Sequence, residues 1–187
     1  MRARIIILLS LLVAGCGTTQ QVHYYSLSNF PTVVTAARPF ITLEPLQLSP
    51  IVQEKNLYIV GKDNEVYFAR YHQWAEPLDK GLHRAIATNL EQSTMLPVLS
   101  GSARDMHCVS VHMRVDTFSP TNEGVVRFSG RWTIYDHDKH IIQTANFNES
   151  KALQSGGYNT TVQELSLLAQ IVSHKIGTYI KGTSTCK

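Results

Sequence analysis

Charge is scarce in this chain and nearly balanced. Only 17% of its 187 residues are charged, with 17 Lys and Arg against 14 Asp and Glu, so neither a basic nucleic-acid footprint nor an acidic tail is present. There is no GxxxxGK[ST] phosphate loop, no GxGxxG turn and no GxSxG nucleophile turn. These absences remove the sequence grounds for nucleotide handling and for serine-nucleophile catalysis. Cysteine is limited to three residues without CxxC spacing, which argues against a zinc knuckle or a redox pair. The longest apolar run, residues 5 to 12 with Ser10 inside it, falls well short of the roughly 20 residues that cross a bilayer as a helix.

That short run has a different use. Arg2 and Arg4 precede it, and Leu12-Val13-Ala14-Gly15-Cys16 follows at its end, giving the basic, apolar and small-residue parts of a secretory signal peptide. A cysteine directly after the small pair resembles the lipobox of bacterial lipoproteins, which implies cleavage before Cys16 and lipidation of that residue. Two or more acyl chains anchor stably where one holds only marginally, since each buried methylene contributes about 0.8 kcal/mol. Gly17 is not the Asp that resembles an inner-membrane retention signal, so the expected location is the outer membrane, facing the periplasm. The expected organisation is a signal peptide over residues 1–15, a lipidated tether over 16–22 and a single domain over 23–187. Arg2 and Arg4 leave with the signal, lowering the formal charge from +3 to +1.

With Cys16 lipidated, Cys108 and Cys186 remain. In an oxidising periplasm such a pair reads as a disulfide tying the end of the chain to its body, two free thiols or a metal-binding pair being the alternatives.

Along the rest of the chain, periodicity separates helices from strands. Leu78, Leu82, Ile86 and Leu90 recur at steps of four with Ala85 alongside, which predicts an amphipathic helix over 77 to 93, opened by Pro77. Val162, Leu165, Ala169, Val172, Ile176 and then Tyr179 or Ile180 predict a second over 160 to 181, with Thr161 to Glu164 as a capping box. Strands are expected at 23–27, at 40–48 with Pro45 marking an edge or bend, and in a hairpin of 57–60 with 65–70. Val109, Val111, Met113 and Val115 alternate with His112, Arg114 and Asp116, and Val126, Phe128, Trp132 and Ile134 alternate with Arg127, Ser129, Arg131 and Thr133. Together with 141–148 they predict a meander with one wet face. The expected fold is an α+β two-layer sandwich, a mostly antiparallel sheet with two amphipathic helices on one face.

Few residues suggest chemistry. Asp136-His137-Asp138-Lys139-His140 reads as a polar hairpin tip whose side chains fan outward, not as a metal site. Arg127 and Arg131 share a strand face, where they either meet an anion, such as lipid phosphate or an acidic partner, or stand solvated.

One longer pattern is specific. Tyr24-Tyr25-Ser26-Leu27 after the lipobox, an Arg-containing strand running into Tyr71-His72 and Trp74-Ala75-Glu76-Pro77-Leu78, and Asn89-Leu90 at the helix end resemble the ABC-type transport auxiliary lipoproteins of the paraquat-inducible protein C kind. Gly124 to Trp132 and the closing helix also fit that likeness. The resemblance implies a structural role for Trp74 to Leu78. It implies a non-enzymatic outer-membrane lipoprotein without cofactor, partnered with an inner-membrane complex bearing MCE (mammalian cell entry) domains. Such systems move lipid between membranes or protect envelope integrity, and their lipoproteins dock, in some cases as homo-oligomers. A periplasmic carrier of lipid or another small ligand, with its pocket between sheet and helices, is the competing reading.

Overall fold

A computed structural model describes residues 20–27, 39–101 and 107–183. Its elements, in chain order, are β1 (His23–Tyr25), β2 (Phe40–Leu43), β3 (Gln47–Leu48), β4 (Asn56–Val60), β5 (Val66–Trp74), α1 (Leu78–Thr94), β6 (Val98–Ser100), β7 (His107–Pro120), β8 (Val125–Tyr135), β9 (Ile141–Ala152) and α2 (Tyr158–Gly182).

The α+β reading holds, with the strands divided between two mixed sheets. The large sheet runs β6-β2-β7-β8-β9, with β3 also paired to β7, and the small one runs β1-β5-β4. The long pairings of β7 with β8 and of β8 with β9 are antiparallel. The short strands β2, β3 and β6 join in parallel, which local sequence does not signal. All four residues of β2 are buried, as expected of a strand enclosed on both faces.

Both amphipathic stripes face inward. Leu82, Ala85, Ile86 and Leu90 of α1 and Leu165, Ala169, Val172 and Ile176 of α2 are buried against the inner face of the large sheet, supplied by Val109, Val111, Met113, Phe128, Trp132 and Ile134. The helices lie side by side and approach closely at Gly177, where an added Cβ would meet Ser93 Oγ at 2.0 Å. Lys175 to Glu149 at 2.7 Å and Lys151 to Glu164 at 2.8 Å tie α2 to β9.

Three local expectations change. Pro45 divides the strand predicted over 40–48 into β2 and β3. The strand whose alternation is read from Val109 to Asp116 runs on to Pro120 as β7, which carries one extra residue between Val115 and Thr117. That bulge moves the inward positions from odd to even numbers and buries Phe118 between Trp74 and Phe128, with ring centres at 6.0 and 5.1 Å. Thr161 does not cap α2. The helix starts at Tyr158 behind Gly157, which turns the chain at φ 112°; the Thr161 hydroxyl donates to the Gly157 carbonyl at 3.0 Å, and Glu164 pairs with Lys151.

Candidate functional site

The outer face of the large sheet, opposite the helices, carries a transverse row of polar side chains. In β-structure, residues in register point to the same side. Gln47 of β3 pairs with Arg114 of β7, Arg114 with Arg131 of β8, and Arg131 with Asn146 of β9. The adjacent row is His112, Thr133 and Thr144. Arg131 Nε donates to Asn146 Oδ1 at 2.8 Å, and Thr144 Oγ1 donates to Thr133 Oγ1 at 3.2 Å. The rings of His112 and Tyr135 lie 4.7 Å apart. Pro45, Gln47, His112, Arg114, Arg131, Thr133 and Tyr135 line a groove of about 240 Å³.

Two guanidinium groups therefore stand in directly opposed positions on neighbouring strands, an arrangement that is electrostatically unfavourable by itself. One carboxylate relieves it. Asp116, the bulge residue, accepts from Arg114 Nε at 3.0 Å and from its Nη2 at 3.3 Å. Arg127 pairs in register with Ser150 further along the same face, four residues from Arg131 and outside the groove. The wet face was legible from alternation. Its central pair was not, because only tertiary pairing sets Arg114 opposite Arg131 and brings Gln47 alongside.

A second cluster lies where β1, β5 and α2 meet. His72 stacks on Tyr158 with ring centres 3.7 Å apart and on His23 at 5.2 Å. The Tyr25 hydroxyl and His72 Nδ1 are hydrogen-bonded at 2.8 Å. Burial, then the neighbouring His23 charge, lower the His72 pKa below its ordinary 6.5, while burial and Tyr158 raise that of Tyr25. No periodicity announces this stack; only the parallel register of β1 and β5, with His23 opposite His72, creates it.

Trp74 to Leu78 form the joint between β5 and α1. Trp74 is buried, its N–H donates to the Lys55 carbonyl at 2.9 Å, and the Ala75 N–H donates to the Tyr25 carbonyl at 2.8 Å. Glu76 pairs with Arg84, Pro77 stands at the helix N-cap, and Leu78 is its first, buried residue. Trp74 and the Ala75 backbone close the corner, and Glu76, Pro77 and Leu78 start the helix.

Cys16 and Cys186 lie outside the described residues. Cys108 is buried and disulfide-bonded. At the hairpin tip the side chains of Asp136, Asp138 and His140 do not fan outward, since one ligand atom from each lies within 4.8 Å of the others. Asp138 lies 3.1 Å from His137 Nε2, while Asp136 accepts from the His140 N–H at 2.9 Å and lies 3.3 Å from its Nδ1. This bonding holds the Asp136 carboxyl below the usual range.

Between sheet and helices, where a carrier would need its pocket, the described residues are closely packed: Val111, Phe128, Val172 and Ile176 are all fully buried. Among the described residues no helix is long and apolar enough to cross a membrane.

A family model described as "ABC-type transport auxiliary lipoprotein component" matches residues 25–177. Among solved structures, an uncharacterised protein is similar at a TM-score of 0.74 and 21% identity, covering 86% of this chain and 99% of its own. A protein from Xanthomonas campestris is similar at a TM-score of 0.66 and 12% identity, covering 87% and 97%. At these identities the likeness is one of fold. No curated protein matches the sequence.

Proposed function

The chain belongs to the family of ABC-type transport auxiliary lipoprotein components, and from that membership we propose that it is the outer-membrane lipoprotein subunit of an MCE-type intermembrane lipid-transport or membrane-integrity system. It docks in the periplasm with an inner-membrane-anchored protein bearing MCE domains, and it catalyses no reaction. Lipidated Cys16 fixes it to the outer membrane. Residues 17 to 22, reaching roughly 20 Å when extended, hold the folded domain near that surface. The domain acts as a docking piece, alone or as a homo-oligomer.

Family membership over residues 25–177 carries this reading. The absence of nucleotide-binding and nucleophile motifs from the sequence agrees with a partner performing any energy-driven step. The close packing between the two layers gives the carrier reading no support.

In-cell crosslinking from the outer-membrane fraction tests it, comparing wild type with Cys16→Ala and identifying bound proteins and lipids by mass spectrometry. An MCE-domain protein is expected with the wild type and is lost or redistributed with the variant. Stoichiometric lipid recovered without any protein partner would overturn docking in favour of a carrier.

A further inference from the structure

We infer that the groove built by Gln47, Arg114, Arg131 and their neighbours on the outer sheet face binds a phosphate group. The central observation is the in-register pair Arg114 and Arg131, which lines one groove together with His112, Gln47, Thr133 and Tyr135. Opposed residues in such a ladder have Cα atoms about 4.5–5.5 Å apart. Like charges on directly opposed residues repel one another, and an anion bound by both turns the repulsion into attraction.

The hydrogen-bonding geometry selects the kind of anion. Arg131 is oriented by its Nε donation to Asn146, which leaves its two terminal nitrogens free to face a ligand. Guanidinium forks match the oxygens of phosphate or carboxylate in paired bonds. Once the paired Arg114 contact to Asp116 exchanges, the two guanidinium groups offer more donors than a single carboxylate has oxygens to fill, whereas a phosphate group presents three or four oxygens and up to two charges. Gln47, Thr133 and Tyr135 add neutral donors at the rim.

Asp116 does not close the site. It lies two residues from Arg114 on the same strand, and both members of the pair are about half exposed, so the contact is weakly held and exchangeable for a stronger ligand. Counting Arg114, Arg131 and Asp116, the groove keeps a net positive charge. It is also preorganised, since every lining residue from His112 to Tyr135 is on β7 or β8. The inference depends on neither the lipid anchor nor the docking role.

The phosphate belongs either to a lipid headgroup or to a free ion, and titration calorimetry on the full chain in non-ionic detergent at low salt separates these sources. The probes are inorganic phosphate, dihexanoylphosphatidic acid and, as a zwitterionic control, dihexanoylphosphatidylcholine. Saturable binding of inorganic phosphate and of the phosphatidic acid is expected. Affinity at least tenfold higher for the lipid assigns a headgroup site; equal affinities assign a site for the phosphate ion. Arg131→Gln and Arg114→Gln should each weaken binding about ten- to a hundredfold, the loss of a charge-assisted contact. Arg131→Lys, which keeps the charge but loses the fork, should fall in between. Arg127→Gln should stay within about twofold of wild type, since its charge lies outside the groove and is screened. These surface substitutions are checked for folding by their unchanged unfolding transitions. No saturable binding of either anion, wild-type affinity in both Arg114→Gln and Arg131→Gln, or equal heats from chloride at matched ionic strength would each overturn the inference.

Discussion

Substituting Gly130 tests how the bulged strand and the arginine row are built, because Gly130 sits on β8 opposite Val115, at the edge of the bulge. An added Cβ would lie 2.0 Å from the Arg114 carbonyl oxygen and 3.0 Å from Phe147 Cζ. The first contact is with backbone, so no rotamer change relieves it; β7 and β8 must separate locally by about 1 Å to reach even the closest tolerated approach. That displacement stretches ladder bonds of about 2.9 Å beyond the hydrogen-bonding range, and losing one or two of them costs about 1–2 kcal/mol. Overpacking against the Phe147 ring adds about 1–3 kcal/mol. Relief of the strand-interior glycine penalty offsets about 0.5–1 kcal/mol. Gly130→Ala is therefore expected to destabilise by about 1–4.5 kcal/mol. In urea, with a slope of about 1–3 kcal/mol per molar, the midpoint should fall by about 0.3 M or more at an unchanged slope. Gly156→Ala is the control: nothing lies within 4 Å of its Cβ position, and it should be neutral or mildly stabilising, by at most about 1 kcal/mol. A Gly130→Ala midpoint within about 0.2 M of wild type would show that the two strands do not approach as described, and would refute the reasoning.

The other predictions concern the helix pair, the disulfide and the histidine stack. Gly177→Ala meets Ser93 Oγ at 2.0 Å and Ser93 Cβ at 2.9 Å; it should destabilise by about 1–3 kcal/mol in spite of its better helix propensity. Ser93→Gly in the same chain should recover most of that loss, and additive single effects in the double variant would count against the contact. If Cys108 is bridged to Cys186, the bond closes a loop of 78 residues, and Cys108→Ser should cost about 2–5 kcal/mol. Alkylation of the native protein without reductant should then label neither cysteine by intact mass, so two labels would rule the pairing out. His72 is held neutral in the fold, its pKa lowered from 6.5, so the unfolded chain takes up a proton first as pH falls. Its contribution to stability is thus full above about pH 6.5, is lost as pH falls from there through the folded value, and is flat below. Urea midpoints of wild type and His72→Phe measured across that range should diverge only below about pH 6.5, and parallel curves would exclude the effect.

Much of this protein was determined by local sequence. The steps of four in Leu78, Leu82, Ile86 and Leu90 and the stripe from Val162 to Ile180 require helices with one apolar face, and both faces are buried. The alternation from Val109 to Ile134 fixes which side of the meander is wet and therefore places Arg114, Arg127 and Arg131 together on one face. Pro77 after the buried Trp74 marks the corner at which a strand becomes a helix. These features are legible because each depends on neighbours within one or two turns or a strand's length. Tertiary structure decided the remainder. The parallel pairings of β2 with β6 and β7 join segments more than 50 residues apart, and no local pattern encodes which distant strand is adjacent. The same kind of pairing brings Gln47 beside Arg114 and His23 onto His72. The start of α2 was settled in the same way: Gly157 admits a positive φ, Tyr158 stacks on His72, and those contacts outweigh a capping signal three residues later. Periodicity assigned residues to faces, and long-range register decided which of them meet.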